Sequence, residues 1–194
     1  MATNEKRALE WLHCICAVGF DLDIGCVVEW SYGRDLPKES LDELSGLSFM
    51  DSANLVLENN VHLFRMRVEQ GKKKNQTKTI FCFSQSRQEA DPTIRRGFYQ
   101  KALVICTPLP LIGLFDKVAR VAGELFHVLR KPIGQSIFEE IDKWPSPIAG
   151  QQYSVRLWGE SIEFQIPSRA QLGTIIFGGR FPSESTSKRM EQED

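Results

Sequence analysis

The sequence predicts an α+β domain, an antiparallel sheet flanked by helices. Three observations lead there. Apolar and polar residues alternate through Leu22 to Trp30 and again through Val61 to Glu69, the period of a strand with one buried face. After Pro108 and Pro110, apolar residues recur at steps of four and three, the period of an amphipathic helix. The order of elements is strand, strand, helix, three strands, two helices and an exit hairpin, so most strands follow one another directly and pair antiparallel.

The first strand, Leu12 to Phe20, is apolar on both parities, as expected of a strand covered on two faces. Asp21 supplies a tight turn to the second, where Leu22, Ile24, Cys26, Val28 and Trp30 fall on one face. Pro37 and the following ESLDELSGL predict a short helix, with proline at its first turn, acidic residues early and Gly46 near its end. In the third strand, Val61 to Glu69, the spacing turns Phe64, Met66 and Val68 inward. A polar loop, EQGKKKNQTK, joins it to a fourth strand at Thr79 to Ser84. Lys72, Lys73 and Lys74 in that loop read as a solvated tip.

A polar turn beginning near Ser86 precedes the fifth strand, Tyr99 to Thr107, which the two prolines terminate. The long helix then carries the stripe Leu111, Phe115, Val118, Ala122, Leu125 and Leu129. A second helix after Pro132 presents Ile133, Ile137, Phe138 and Ile141, and WPSPIAG ends it. Two short strands follow around Gly159 and Glu160. The expected boundaries are a tail at 1–10, a module at 11–143, a connector with exit hairpin at 144–179 and a disordered tail at 180–194.

Composition excludes several classes. At 194 residues, with 42% hydrophobic and 25% charged residues, the chain suits one soluble domain with a core. A net charge of -1 argues against nucleic-acid binding through bulk positive potential. The opening MATNEKRALEWLH has no apolar core of the roughly 7 to 15 residues that a secretory signal needs, so a cytoplasmic chain is expected. No apolar run approaches the roughly 20 residues of a membrane span.

Cys14, Cys16, Cys26, Cys82 and Cys106 all fall in apolar strand segments and are expected to be reduced. Cys14 and Cys16 lack the CxxC spacing of a zinc site, so no metal is expected. No cofactor is expected either. The chain has no Walker loop, and GTIIFGGR at 173–180 lacks the lysine and hydroxyl that hold phosphate and magnesium. His13, His62 and His127 sit beside apolar positions with no nucleophile or HExxH setting, and Glu139 and Glu140 occupy diverging helix positions. Non-catalytic function is therefore expected.

Four ordered blocks carry a family resemblance. FDLDIGCVVEWSY from Phe20 to Tyr32 resembles an opening hairpin, FMDS from Phe49 to Ser52 a Phe, Pro, Asp, Ser step, and SRQEADPTIRRGFYQKALVICTPLP from Ser86 to Pro110 a signature block. IDKWPSPIAGQQYSVRLWGESIEFQIP from Ile141 to Pro167 resembles an exit connector. Together they resemble the upstream, longin-type region of DENN-domain exchange factors for Rab GTPases, nearest to the DENN domain-containing protein 6 group, over about residues 11 to 175. The resemblance implies a longin-like fold and a Rab-family partner engaged together with a central DENN lobe. It also implies peripheral association with endosomal membranes through partners. In such proteins central and downstream lobes follow, so exchange belongs to a longer protein. The rival expectation is a free-standing longin-like adaptor that binds trafficking partners without exchange. The partner-binding candidates are Arg65, Arg67, Arg95, Arg96 and Lys101.

Overall fold

The computed structural model describes residues 7–49, 61–69, 77–95 and 97–168. A short helix, α1 (Ala8–Trp11), leads into β1 (Cys14–Asp21) and β2 (Gly25–Gly33). There follow α2 (Lys38–Leu47), β3 (Val61–Glu69), β4 (Thr77–Ala90) and β5 (Phe98–Thr107), then α3 (Ile112–Leu129) and α4 (Gly134–Ile141). A hairpin of β6 (Gln152–Leu157) and β7 (Glu160–Gln165) completes the order. The five longer strands form one antiparallel sheet in the order β2-β1-β5-β4-β3. From β2 at one edge the chain crosses by way of α2 to β3 at the other. The β3-β4-β5 meander then returns inward, so that β5 closes against β1. The class is the expected α+β.

Each sheet face has its own core. On one face Ile15, Ala17, Phe83, Leu103 and Ile105 meet Phe115, Val118, Ala119, Ala122 and Phe126 of α3 and Ile137, Phe138 and Ile141 of α4. On the other, Cys14, Cys16, Val18, Met66, Val68, Ile80, Cys82, Ala102, Val104 and Cys106 pack with Leu44 of α2. β1 and β5 are covered on both sides, which is why neither alternates. β3, at an edge, alternates as expected, with Met66 and Val68 buried and Arg65 and Arg67 exposed. Ser48 ties α2 to the sheet: its hydroxyl donates to the Leu44 carbonyl, and its own carbonyl accepts from Ser84 Oγ, both at 2.6 Å.

Several elements depart from the expectation. In β2 the register steps from Ala17↔Trp30 to Val18↔Val28, leaving Glu29 as the extra residue of a bulge. A bulge reverses the faces beyond it, because the side-chain period is two. Cys26 and Val28 therefore join the α2 side, Trp30 and Tyr32 the α3 side. Leu22 and Ile24, expected on the buried face, are 53% and 73% exposed in the turn.

β4 runs on through the supposed polar turn to Ala90, paired residue by residue with β5 as far as Phe98. Backbone pairing with a continuous neighbour holds this polar half, where apolar patterning gives no signal. The buried face of α3 centres on Leu114, Phe115, Val118, Ala119, Ala122 and Phe126, while Leu129 is 42% exposed.

Residues 8–10, expected in the tail, form α1 together with Trp11, which is completely buried. Trp11 Nε1 donates to the Pro145 carbonyl at 3.0 Å, and its ring meets Trp144, Tyr153 and Phe164 edge-on. Trp144, Tyr153, Val155, Leu157 and Ile162 are buried in the α3-side core, so the β6-β7 hairpin packs on the sheet domain. A two-residue turn, Trp158 and Gly159, reverses it with φ of 47° and 92°, the positive values that match the twist of a tight hairpin. Lys72 to Lys74, Arg96, the residues 50–52 of the FMDS step and the glycine-rich run at 173–180 lie outside the described residues.

Candidate functional site

The register separates the basic candidates. Arg95 follows β4 in the turn to β5, and Lys101 is near the start of β5, level with Gly19 at the far end of β1. Arg65 faces Phe81, which faces Thr107 at the opposite end of β5, and Arg67 lies beyond it. Six residues of strand, about 20 Å, thus separate the level of Arg65 from that of Lys101. Arg65 and Arg67 share one edge-strand patch; Arg95 and Lys101 belong to another end of the sheet.

That end is the richer surface. The β1-β2 hairpin tip exposes Phe20, Leu22 and Ile24, the start of β5 exposes Phe98, and Val128 and Leu129 are exposed on the last turn of α3. Lys101 is tied to the bulged Glu29 by an ion pair of 2.5 Å, both side chains about one-third exposed. Bulges re-aim side chains, and this one brings a carboxylate across β1 to β5.

A second charged group fastens the signature block to α3. Arg130 stops the helix in the left-handed conformation, φ 49°. Its guanidinium donates to Asp91 Oδ2 at 2.7 Å and to Glu89, and lies 4.5 Å above the Tyr99 ring. Asp91 in turn accepts from the Thr93 amide and hydroxyl, closing an Asx turn over Asp91-Pro92-Thr93. The Thr93 hydroxyl, then Arg130, holds the Asp91 carboxyl down at about 2. Tyr99 Oη pairs with His127 Nδ1 at 3.0 Å. Burial pushes the Tyr99 phenol up to about 12 and the His127 imidazole down to about 4.

Sequence reasoning did not find Arg130, Asp91, Glu89, Tyr99 and His127 as one unit, for they are brought together only by the extension of β4. The DPT triplet was the one local signal, as an Asx-turn pattern. An apolar cleft of about 330 Å³ between the start of α3 and β7, lined by Pro110, Leu111, Ile112 and Phe164, has Lys117 and Glu163 as its titratable side chains. A neighbouring hollow of about 270 Å³ is lined by Leu109, Pro110, Pro147, Ala149, Ile166 and Pro167, with none. His62 is engaged by the Leu47 carbonyl at 2.8 Å and stacks on Phe64. Among the described residues no helix is long and apolar enough to cross a membrane.

Residues 12–139 match the family described as transport protein Avl9. The human protein DENND6B is 31% identical over 184 residues, covering 84% of this chain and 31% of its own length. Mouse protein DENND6A is 28% identical, covering 81% of the chain and 29% of its own length. The DENND6 homolog of Dictyostelium discoideum is 28% identical, covering 86% and 23%. The chain thus spans less than a third of the relatives it matches. Because the matched segment takes in the complete five-stranded sheet, α2 and α3, this chain belongs to the Avl9 family and is a DENND6-like protein.

Proposed function

We propose that residues 11–143 act as the upstream, longin-type module of a DENN-type exchange factor, with 144–179 as the connector. In this reading the module supplies one wall of a cleft for a Rab-family GTPase, and a central DENN lobe supplies the other. The work is done by coupled binding: a partner that prefers the GTPase with a loosened nucleotide site lowers its affinity for GDP by the same factor. No side chain of the module acts as acid or base. The module works in the cytoplasm and reaches endosomal membranes through its partners.

The observation that carries this reading is the family match across the whole sheet, in a chain spanning less than a third of its DENND6 relatives. Partner contact is assigned to Arg95 and Lys101 at one end of the sheet and to Arg96, the next residue in sequence after Arg95, with Arg65 and Arg67 as a separate patch. The test is a binding titration of a Rab panel against this chain joined to the remaining two thirds of a DENND6B chain. Arg95→Glu with Arg96→Glu, or Lys101→Ala, should weaken binding on the order of tenfold if that end is the contact. Lys101→Ala avoids setting a new carboxylate against Glu29. Failure of every Rab to bind would sink the reading and leave the adaptor.

A further inference from the structure

Four of the five cysteines converge on the α2 side of the sheet. The register sets Cys14 of β1 and Cys82 of β4 directly opposite Cys106 of β5, and Cys16 is two residues along β1 on the same face. The Sγ atoms of Cys14, Cys16 and Cys106 lie within 4.8 Å of one another. Cys14 and Cys16 are 3.9 Å apart and Cys82 and Cys106 3.7 Å apart, sulfur to sulfur. All four are fully buried, and none is in a disulfide.

A zinc ion held by thiolates has Zn–S bonds of about 2.3 Å, which in a regular tetrahedron gives sulfur-to-sulfur edges of about 3.8 Å. The Cys14–Cys16 separation already matches that edge, and Cys106 lies within 4.8 Å of both, on strands whose pairing fixes their spacing. The surroundings, Leu44, Met66, Ile80 and Val104, are apolar. An all-sulfur donor set disfavours hard cations such as magnesium or calcium and selects soft d10 ions.

We propose that Cys14, Cys16 and Cys106 form a structural site for a thiophilic d10 cation of the zinc class, clasping the central strands β1 and β5, with Cys82 of β4, which lies 3.7 Å from Cys106 but outside this set of three, moving in as a fourth ligand when the ion binds. This departs from the expectation drawn from linear spacing. CxC alone is a poor zinc signal, and the other two sulfurs are supplied by distant strands through the sheet. Binding releases the thiol protons to solvent, so retention weakens as pH falls. Full burial means the ion is taken up as the sheet assembles.

The test is to unfold the full chain under reductant and refold it with or without zinc, and separately with cadmium as a spectroscopic substitute. The expected result is one equivalent retained through gel filtration and a raised thermal midpoint. Cadmium should give ultraviolet charge-transfer absorption of an intensity matching three to four thiolates per ion. Cys16→Ala and Cys106→Ala should lose both, while Cys26→Ala, altered outside the cluster, should keep both. Should the cluster variants fail to fold, wild-type stoichiometry and charge-transfer intensity decide. Folded wild-type protein that retains no metal and shows no thiolate absorption would overturn the proposal, as would loss of the metal with Cys26→Ala.

Discussion

Arg130 joins three parts of the chain that sequence proximity does not: the end of α3, the β4-β5 turn and the Tyr99 ring. Arg130→Ala should lower the thermal midpoint, with an effect that shrinks as salt rises because these groups are partly in water. An unchanged midpoint at low salt would show that the network is decorative. Two histidines make a pH prediction. His13 is held down at about 4 by burial, then Arg34 and Lys78, and His127 at about 4 by burial, then Arg87. The unfolded chain takes up these protons near the ordinary value of about 6.5 while the folded chain resists until about 4. Stability should therefore be full above about pH 6.5 and fall steadily toward pH 4. His127→Gln should flatten part of that slope in urea midpoints, and a wild-type midpoint independent of pH across this range would contradict the account. At this scale the sequence was legible where one face alone is buried, as in Phe64, Met66 and Val68. It was not legible at Glu29, whose bulge reverses the faces of β2 without leaving any mark in the apolar pattern.

Among the elements, α3 is the main cover of the sheet, and Val118 is fully buried beneath it. Val118→Asp would bury a carboxylate without a partner and should cost about 3 kcal/mol or more, read as a fall in urea midpoint. The helix was found from its period, and Leu111 does pack half-buried against the core, but Leu129, read into the same face, is 42% exposed. Burial runs from Leu114 to His127, and the last turn projects past it. Gly134 marks a closer approach: a Cβ there would lie 2.7 Å from Tyr32 Cβ and 3.0 Å from the Trp30 ring. α4 therefore rests directly on β2, and Gly134→Ala should cost about 1 to 3 kcal/mol through overpacking. A midpoint equal to wild type would show that α4 can shift without loss. The polar half of β4 was hidden from the sequence because a strand held by its neighbours needs no apolar alternation.

As a whole molecule, the domain is a sheet covered on both faces, with the β6-β7 hairpin clamped to α1 by Trp11 and Trp144. The class and nearly every strand were legible, since local periodicity reports them. The order β2-β1-β5-β4-β3 was not, because it depends on where the α2 crossover lands. The central claim is that this module supplies only one side of a two-sided GTPase cleft. The direct measurement is GDP release from a panel of loaded Rabs, with this chain alone and with the chain joined to the remainder of a DENND6B protein. The chain alone should leave release unchanged, and the joined protein should accelerate it on the order of tenfold or more for at least one Rab. Equal acceleration by the chain alone, or none by the joined protein, would contradict the account.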